Sequence, residues 1–206
     1  MSAATPHTLA ALERAAPARA GAADTGLWVF MVMAGMLFAL FLAAYVMRMA
    51  ERDWVQIGIP WQAWLSSALL VAGSVALESA DRDAHAFRLR RAWRLFAVGG
   101  ALALAFLLSQ LWAWQALAAM RVLPAGNPAG SFFFLLTAMH GLHVAGGLAA
   151  WLLAWRLARD GDPAAAAARI GLCARYWHFL LAVWAALLGA MSFLTPELAR
   201  ILCGTR

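Results

Sequence analysis

The sequence predicts an all-α integral membrane protein, a bundle of five transmembrane helices. Hydrophobic residues make up 65% of its 206 residues, well above the roughly 45–50% that is typical of soluble domains. Charged residues make up only 13%, and they gather between long apolar segments. Five of these segments have the roughly 20 residues that a helix needs to cross the hydrocarbon core.

The predicted helices follow one another with short connections, which favours a single transmembrane domain over residues 26–206. They cover about residues 26–47, 62–79, 95–119, 131–155 and 176–196. The preceding residues, 1–25, include Glu13, Asp24 and two prolines, and they have no apolar core of signal-peptide length. We therefore predict a short, disordered tail there.

The arginines predict the orientation of the bundle. All 16 basic residues are arginine. The tail and the second and fourth connections share one side of the membrane and carry eleven of them, whereas the opposite side carries five. Because basic residues favour the cytoplasmic side, we predict a cytoplasmic N-terminus and a periplasmic C-terminus, as expected for a multi-pass protein of a bacterial inner membrane.

The same pattern argues against several other classes of protein. A net charge of +6 would suggest nucleic acid in a soluble protein, but arginines next to apolar spans point to topology and anionic lipid instead. No carboxylate lies near mid-membrane, where transporters and proton pumps keep them. Cys173 and Cys203 are far apart and form no ligand pair.

His140 and His143 are the strongest candidate functional residues, because ionisable side chains inside a membrane are costly. Their spacing of three puts both rings on one helical face. A metal site usually needs three or four ligands, and the nearest other candidate, His178, is predicted close to the cytoplasmic surface. We therefore expect no metal, and instead a polar core within the bundle, formed by Gln110, Thr137, His140 and His143.

A second candidate site is the run Arg175, Tyr176, Trp177 and His178 at the start of the last predicted span. Tryptophan and tyrosine favour the membrane interface, and an arginine beside a histidine donor can hold a lipid phosphate. A purely structural anchor fits the same residues equally well, so lipid binding and a structural role both stay open.

Several motifs, in order along nearly the whole chain, resemble subunit III of the haem–copper oxidases. The segment Thr137-Ala-Met-His-Gly-Leu-His-Val144 is similar to the family's Thr-x-x-His-Gly-x-His-Val motif, and Gly146-Gly147 follows it. Tyr176-Trp-His-Phe179 with Val183-Trp184 resembles the family's Trp-His-Phe-x-Asp-Val-Val-Trp segment. Parts of the first three spans are also similar, and the length resembles the short, five-helix form found in quinol oxidases.

This resemblance implies an accessory, non-catalytic subunit of a respiratory terminal oxidase. It would dock beside subunit I, within a complex that includes subunit II, bind phospholipid between its helices and support proton uptake during oxygen reduction. Haem and copper would lie on subunit I, with none on this chain. The histidines would then serve packing, lipid contact and hydrogen bonding, and no catalytic residues are expected here.

The chain departs from the family's pattern at its intramembrane acids. Ala113 stands where the family has a glutamate, and Leu181 where it has an aspartate. The sequence does not decide what this loss does to a proton-related role. It also leaves open the partner complex, its electron donor (cytochrome c or quinol) and the arrangement of the subunits.

Two alternatives therefore remain. One is a subunit-III-like protein associated with nitric oxide reductase, which suits a divergent member of the family. The other belongs to a different class, a membrane enzyme that binds a metal or haem through His140, His143 and His178. Metal analysis of the isolated chain separates the second alternative from the subunit.

Overall fold

The computed structural model describes residues 6–51, 53–122, 126–158 and 162–203. In this part of the chain all regular structure is helical, and five helices are long and apolar enough to cross a membrane. The six helices are α1 (Pro6–Met49), α2 (Trp61–His85), α3 (Leu89–Ala119), α4 (Pro128–Ala158), α5 (Pro163–Phe193) and α6 (Pro196–Cys203). The predicted all-α membrane bundle is confirmed.

Several helices extend beyond the apolar segments that the sequence predicts. Helix α1 starts at Pro6, inside the segment predicted as a disordered tail, and residues 1–5 lie outside the described part. This segment is rich in alanine, the strongest helix former. Helix α2 continues to His85, α3 begins at Leu89, and α5 begins at Pro163.

The extension of α2 follows from polar side-chain pairs at helical spacing. Arg82 lies 2.9 Å from Glu78, and His85 lies 3.2 Å from Asp81, both four residues apart. Such pairs stabilise a helix where it leaves the hydrocarbon. Hydropathy predicts the apolar part of a span and misses these polar turns.

Helices α2 and α3 form a close hairpin. The turn holds Phe87 in a left-handed conformation with φ of 57°, and the amide of Arg88 donates to the carbonyl of Asp83 at 2.8 Å, as in a Schellman cap. At Gly99 of α3, an added Cβ would lie 2.5 Å from Cγ of Leu77 in α2. The missing side chain thus allows the two helices to approach closely.

The short helix α6 was not predicted. Thr195 precedes it and accepts a hydrogen bond from the amide of Leu198 at 3.4 Å, and Pro196 occupies the first helical position, a combination typical of a helix start. Helix α6 contacts α1, and its Ala199 is buried together with Tyr45 and Met49.

Contacts between helices bring several arginine-containing helix ends together at one end of the bundle. These are the end of α2, the start of α3, the end of α4 and the start of α5. Asp24 of α1 pairs with Arg175 of α5, and Trp93 of α3 packs against Trp155 of α4 at 5.3 Å between ring centroids. We call this the arginine-rich end. Its location on the cytoplasmic side stays a prediction.

Candidate functional site

The run Arg175 to His178 divides between two sides of α5, because successive residues on a helix point about 100° apart. Tyr176 and Trp177 are buried. Arg175 and His178 keep 42% and 46% of their side chains exposed. The four residues therefore do not form a single site, and they line two neighbouring spaces instead.

The first space is an apolar cleft of about 520 Å³ between α1, α4 and α5. Its lining includes Leu27, Phe30, Leu142, His143, Gly146, Gly147, Leu172, Cys173, Tyr176 and Trp177. Almost all of this lining is hydrocarbon or aromatic ring. Such a surface suits an apolar chain.

Few polar groups face this cleft. The Tyr176 hydroxyl donates to the carbonyl of His143 at 3.1 Å. The indole N–H of Trp177 is buried without a hydrogen-bond acceptor among the described residues. Because this nitrogen is enclosed by protein atoms, it is not part of the accessible surface of the cleft.

The second space is a polar pocket of about 900 Å³ at the arginine-rich end. Its charged and titratable lining residues are Asp24, Glu78, Asp81, His85, Arg169, Arg175 and His178. The polar pocket and the apolar cleft share Leu172. A single amphipathic molecule can therefore contact both.

Arg175 is already engaged within the polar pocket. Its guanidinium pairs with Asp24 and lies 5.8 Å from the ring centroid of Trp28. A lipid phosphate would have to share this arginine with a carboxylate. The arginine is therefore a weaker anion site than the sequence predicts.

His178 faces α2. Its Nδ1 lies 2.7 Å from the carbonyl of Ala174, and because a carbonyl only accepts, Nδ1 carries a hydrogen. Its Nε2 then faces a carboxylate oxygen of Glu78 at 4.0 Å. The two side chains lie across the contact between α2 and α5.

The predicted polar core splits into separate contacts. Gln110 donates to the Ser66 hydroxyl at 2.6 Å. Thr137 accepts from the indole of Trp114 at 3.0 Å and donates to the carbonyl of Phe133 at 2.6 Å. These contacts hold neighbouring helices together, and they are not part of one connected network.

The two histidines differ in surroundings. His140 is fully buried, among the rings of Phe38, Phe106 and Trp184 at 5.1 to 6.2 Å, and neither nitrogen has a hydrogen-bond partner in the described chain. His143 is partly exposed to the cleft, and its Nδ1 donates to the carbonyl of Met139 at 2.7 Å. Among the described residues no three His, Cys, Asp or Glu side chains are grouped to hold a metal ion.

Sequence reasoning missed the acidic half of the polar pocket. Asp24 lies in the segment that the sequence predicts as a disordered tail, and Asp81 and His85 lie in a predicted connection. The pairs Glu78–Arg82 and Asp81–His85 at helical spacing were the available signal. These pairs indicate that α2 continues past residue 79, which places Glu78 and Asp81 on the face of α2 toward α5.

Several curated proteins similar to this chain are cytochrome c oxidase subunits. "Probable cytochrome c oxidase subunit 3" of Mycobacterium tuberculosis is 34% identical over 142 residues, which cover 65% of this chain and 66% of that protein. The protein of the same name from Nocardia farcinica is 31% identical over 172 residues, 77% of this chain and 81% of that protein. The chain belongs to the cytochrome c oxidase subunit III family.

A more distant relative extends the likeness to almost the full chain. "Cytochrome c oxidase subunit 3" of Corynebacterium diphtheriae is 28% identical over 200 residues, 93% of this chain and 95% of that protein. No protein-family model matches the sequence. Membership of this family, together with five apolar helices, makes the chain a multi-pass membrane protein.

Proposed function

We propose that this chain is an accessory, non-catalytic subunit III of a bacterial respiratory haem–copper oxidase in the inner membrane. Its likeness to curated cytochrome c oxidase subunits along most of its length carries this proposal. Subunit I would hold the haem and copper and reduce oxygen, and subunit II would complete the complex. This chain would stabilise subunit I and support proton uptake during turnover.

We further propose that the chain binds a phospholipid across its two neighbouring spaces. The apolar cleft would take an acyl chain, and the polar pocket would take the headgroup. Leu172 lines both spaces, so one molecule could extend from the cleft into the pocket.

The charges of the polar pocket favour a zwitterionic headgroup over an acidic one. Arg169 and Arg175 supply positive charge for a phosphate, whereas Asp24, Glu78 and Asp81 supply three carboxylates. A primary ammonium group would pair with Glu78 or Asp81 while the phosphate contacts Arg175. An aminophospholipid offers both groups.

The lipid proposal is tested by filling the cleft. An added Cβ at Gly146 meets no atom within 4 Å, so Gly146→Leu should fold and occupy the space of the acyl chain. Gly189→Leu is the control, because Gly189 also has open space around it but does not line the cleft. We expect the first variant alone to lose phospholipid that co-purifies with the complex. Unchanged lipid content in Gly146→Leu would refute the proposal.

The subunit proposal is tested by isolating the chain with its partners from its native membrane in mild detergent. Mass spectrometry should find a stoichiometric subunit I, and the spectrum should show haem. A nitric oxide reductase partner would favour the alternative association. Metal or haem retained by this chain alone would contradict the accessory role.

A further inference from the structure

Two arginines on the outer face of α3 stand apart from the others at the arginine-rich end. Arg90 and Arg94 are exposed, and neither has an ion pair or a hydrogen bond to another side chain in the part of the chain that the structure describes. They are four residues apart, so they lie on one helical face about 6 Å apart along the axis.

The neighbouring arginines are held by carboxylates. Arg82 pairs with Glu78, Arg91 lies 3.0 Å and Arg88 3.8 Å from Asp83, and Arg175 pairs with Asp24. Their charge is therefore largely neutralised within the protein. Arg90 and Arg94 leave two positive charges on the outer surface that no carboxylate of the described residues neutralises.

An apolar stripe continues from these arginines along the same face of α3. Its members follow at helical spacing as Ala97, Ala101, Leu104 and Leu108, of which Leu104 and Leu108 are 52% and 59% exposed. The small alanines lie next to the arginines along the helix, and the exposed leucines follow them toward mid-membrane. A charged head above an apolar strip matches the two parts of a phospholipid.

The depth of the arginines agrees with this match. The hydrocarbon core spans roughly 20 helical residues, whereas α3 has 31 residues, so its first turns extend into the headgroup layer. Trp93 and Trp155 pack edge to face at 5.3 Å beside the arginines, and tryptophan pairs at this level are typical of the membrane interface.

We propose that Arg90 and Arg94 bind the phosphate of an anionic phospholipid, whose acyl chain lies along Ala97, Ala101, Leu104 and Leu108. This site is on the outer face of α3, separate from the apolar cleft between α1, α4 and α5. It prefers acidic headgroups because none of the described carboxylates pairs with its two arginines, in contrast to the polar pocket. It does not depend on the proposed accessory role in an oxidase.

The test uses the full chain in its purified complex, reconstituted into nanodiscs of phosphatidylcholine with added phosphatidylglycerol or diphosphatidylglycerol. Native mass spectrometry counts the bound acidic lipid. Each arginine near an anionic surface contributes about 1 kcal/mol to binding. The double variant Arg90→Gln with Arg94→Gln should therefore weaken the binding of acidic lipid about thirty-fold. Arg90→Lys with Arg94→Lys should retain most of it, because the charge is kept.

Arg121→Gln with Arg200→Gln is the control, since it removes the same charge at the opposite end of the bundle. It should bind acidic lipid as the wild type does. The proposal would be overturned if the variant with Arg90→Gln and Arg94→Gln retained as much acidic lipid as the wild type. It would also be overturned if the control lost as much acidic lipid as that variant. Loss of a protein partner with lipid retained would also overturn it, and would assign this face to a protein contact.

Discussion

Gly147 of α4 lies against the indole ring of Trp177 in α5. A Cβ at Gly147 would stand 2.7 Å from Cζ3 of Trp177 and 2.9 Å from Cε1 of Tyr176. Both rings are buried, so they have little room to move. The contact joins the His-Gly-x-His helix to the Trp-His-Phe helix, the two segments that carry the family likeness.

This contact predicts a strong effect of a single methyl group. Gly147→Ala should destabilise the chain by about 1–3 kcal/mol, the usual effect of overpacking a filled interior, and it should lower the melting temperature in detergent. Gly146→Ala is the matched control, because its new Cβ meets nothing within 4 Å. Equal melting temperatures for the two variants would contradict the close packing.

His140 should be replaceable by an apolar side chain of similar size. Its two nitrogens are buried without a partner among the described residues, and an unpaired buried polar group costs about 1–3 kcal/mol. We expect His140→Leu to keep or exceed wild-type thermal stability, and His140→Ala to lose about 2 kcal/mol or more through its cavity. A leucine variant as unstable as the alanine variant would show that the imidazole makes a specific polar contact.

Trp184 and Ser67 should be energetically coupled. The indole N–H of Trp184 donates to the Ser67 hydroxyl at 2.8 Å, and hydrogen bonds between membrane helices contribute about 0.6 kcal/mol on average. A double-mutant cycle with Trp184→Phe and Ser67→Ala should give a coupling of this size. The control is the same cycle with Trp112→Phe, because Trp112 is exposed, and it should give no coupling free energy. Equal coupling free energies in the two cycles would show that the hydrogen bond does not contribute.

The pair of Arg48 and Asp53 predicts a small pH dependence of stability. The Arg48 guanidinium, 2.5 Å from the carboxylate, holds the pKa of Asp53 below its ordinary value. A carboxylate with a lowered pKa stabilises the fold above its unfolded pKa of about 3.9, and this contribution is lost as the pH falls further through the folded pKa.

Melting temperatures of the wild type and Asp53→Asn should therefore converge as the pH is lowered below about 4. The difference above this pH should be small, because the pair is exposed. Glu51→Gln removes the same charge two residues away without breaking the pair, and serves as the control. A difference between wild type and Asp53→Asn that persists unchanged at acidic pH would contradict the ion pair.

The spans were predictable from sequence where helices end in apolar or turn-forming residues. Helix α3 ends at Ala119 as predicted, and α2 begins one residue earlier than predicted, at Trp61. At the arginine-rich end the predicted bounds fall short, because hydropathy stops at charged residues while paired side chains such as Glu78 and Arg82 continue the helix.

The candidate site was only partly predictable. Arg175 to His178 could be singled out by composition, but their division between a cleft and a pocket depends on the rotation of α5 against α1, α2 and α4. The contribution of Asp24 depends on a contact across 151 residues of sequence. No local pattern encodes such a pairing.

The central claim, an accessory subunit without catalytic groups, is tested most directly by oxygen uptake in complexes purified from cells with and without this chain. We expect the same haem and copper content per subunit I and a similar initial rate, followed by an earlier loss of activity during turnover without the chain. A loss of haem or copper in proportion to the missing chain would contradict the claim.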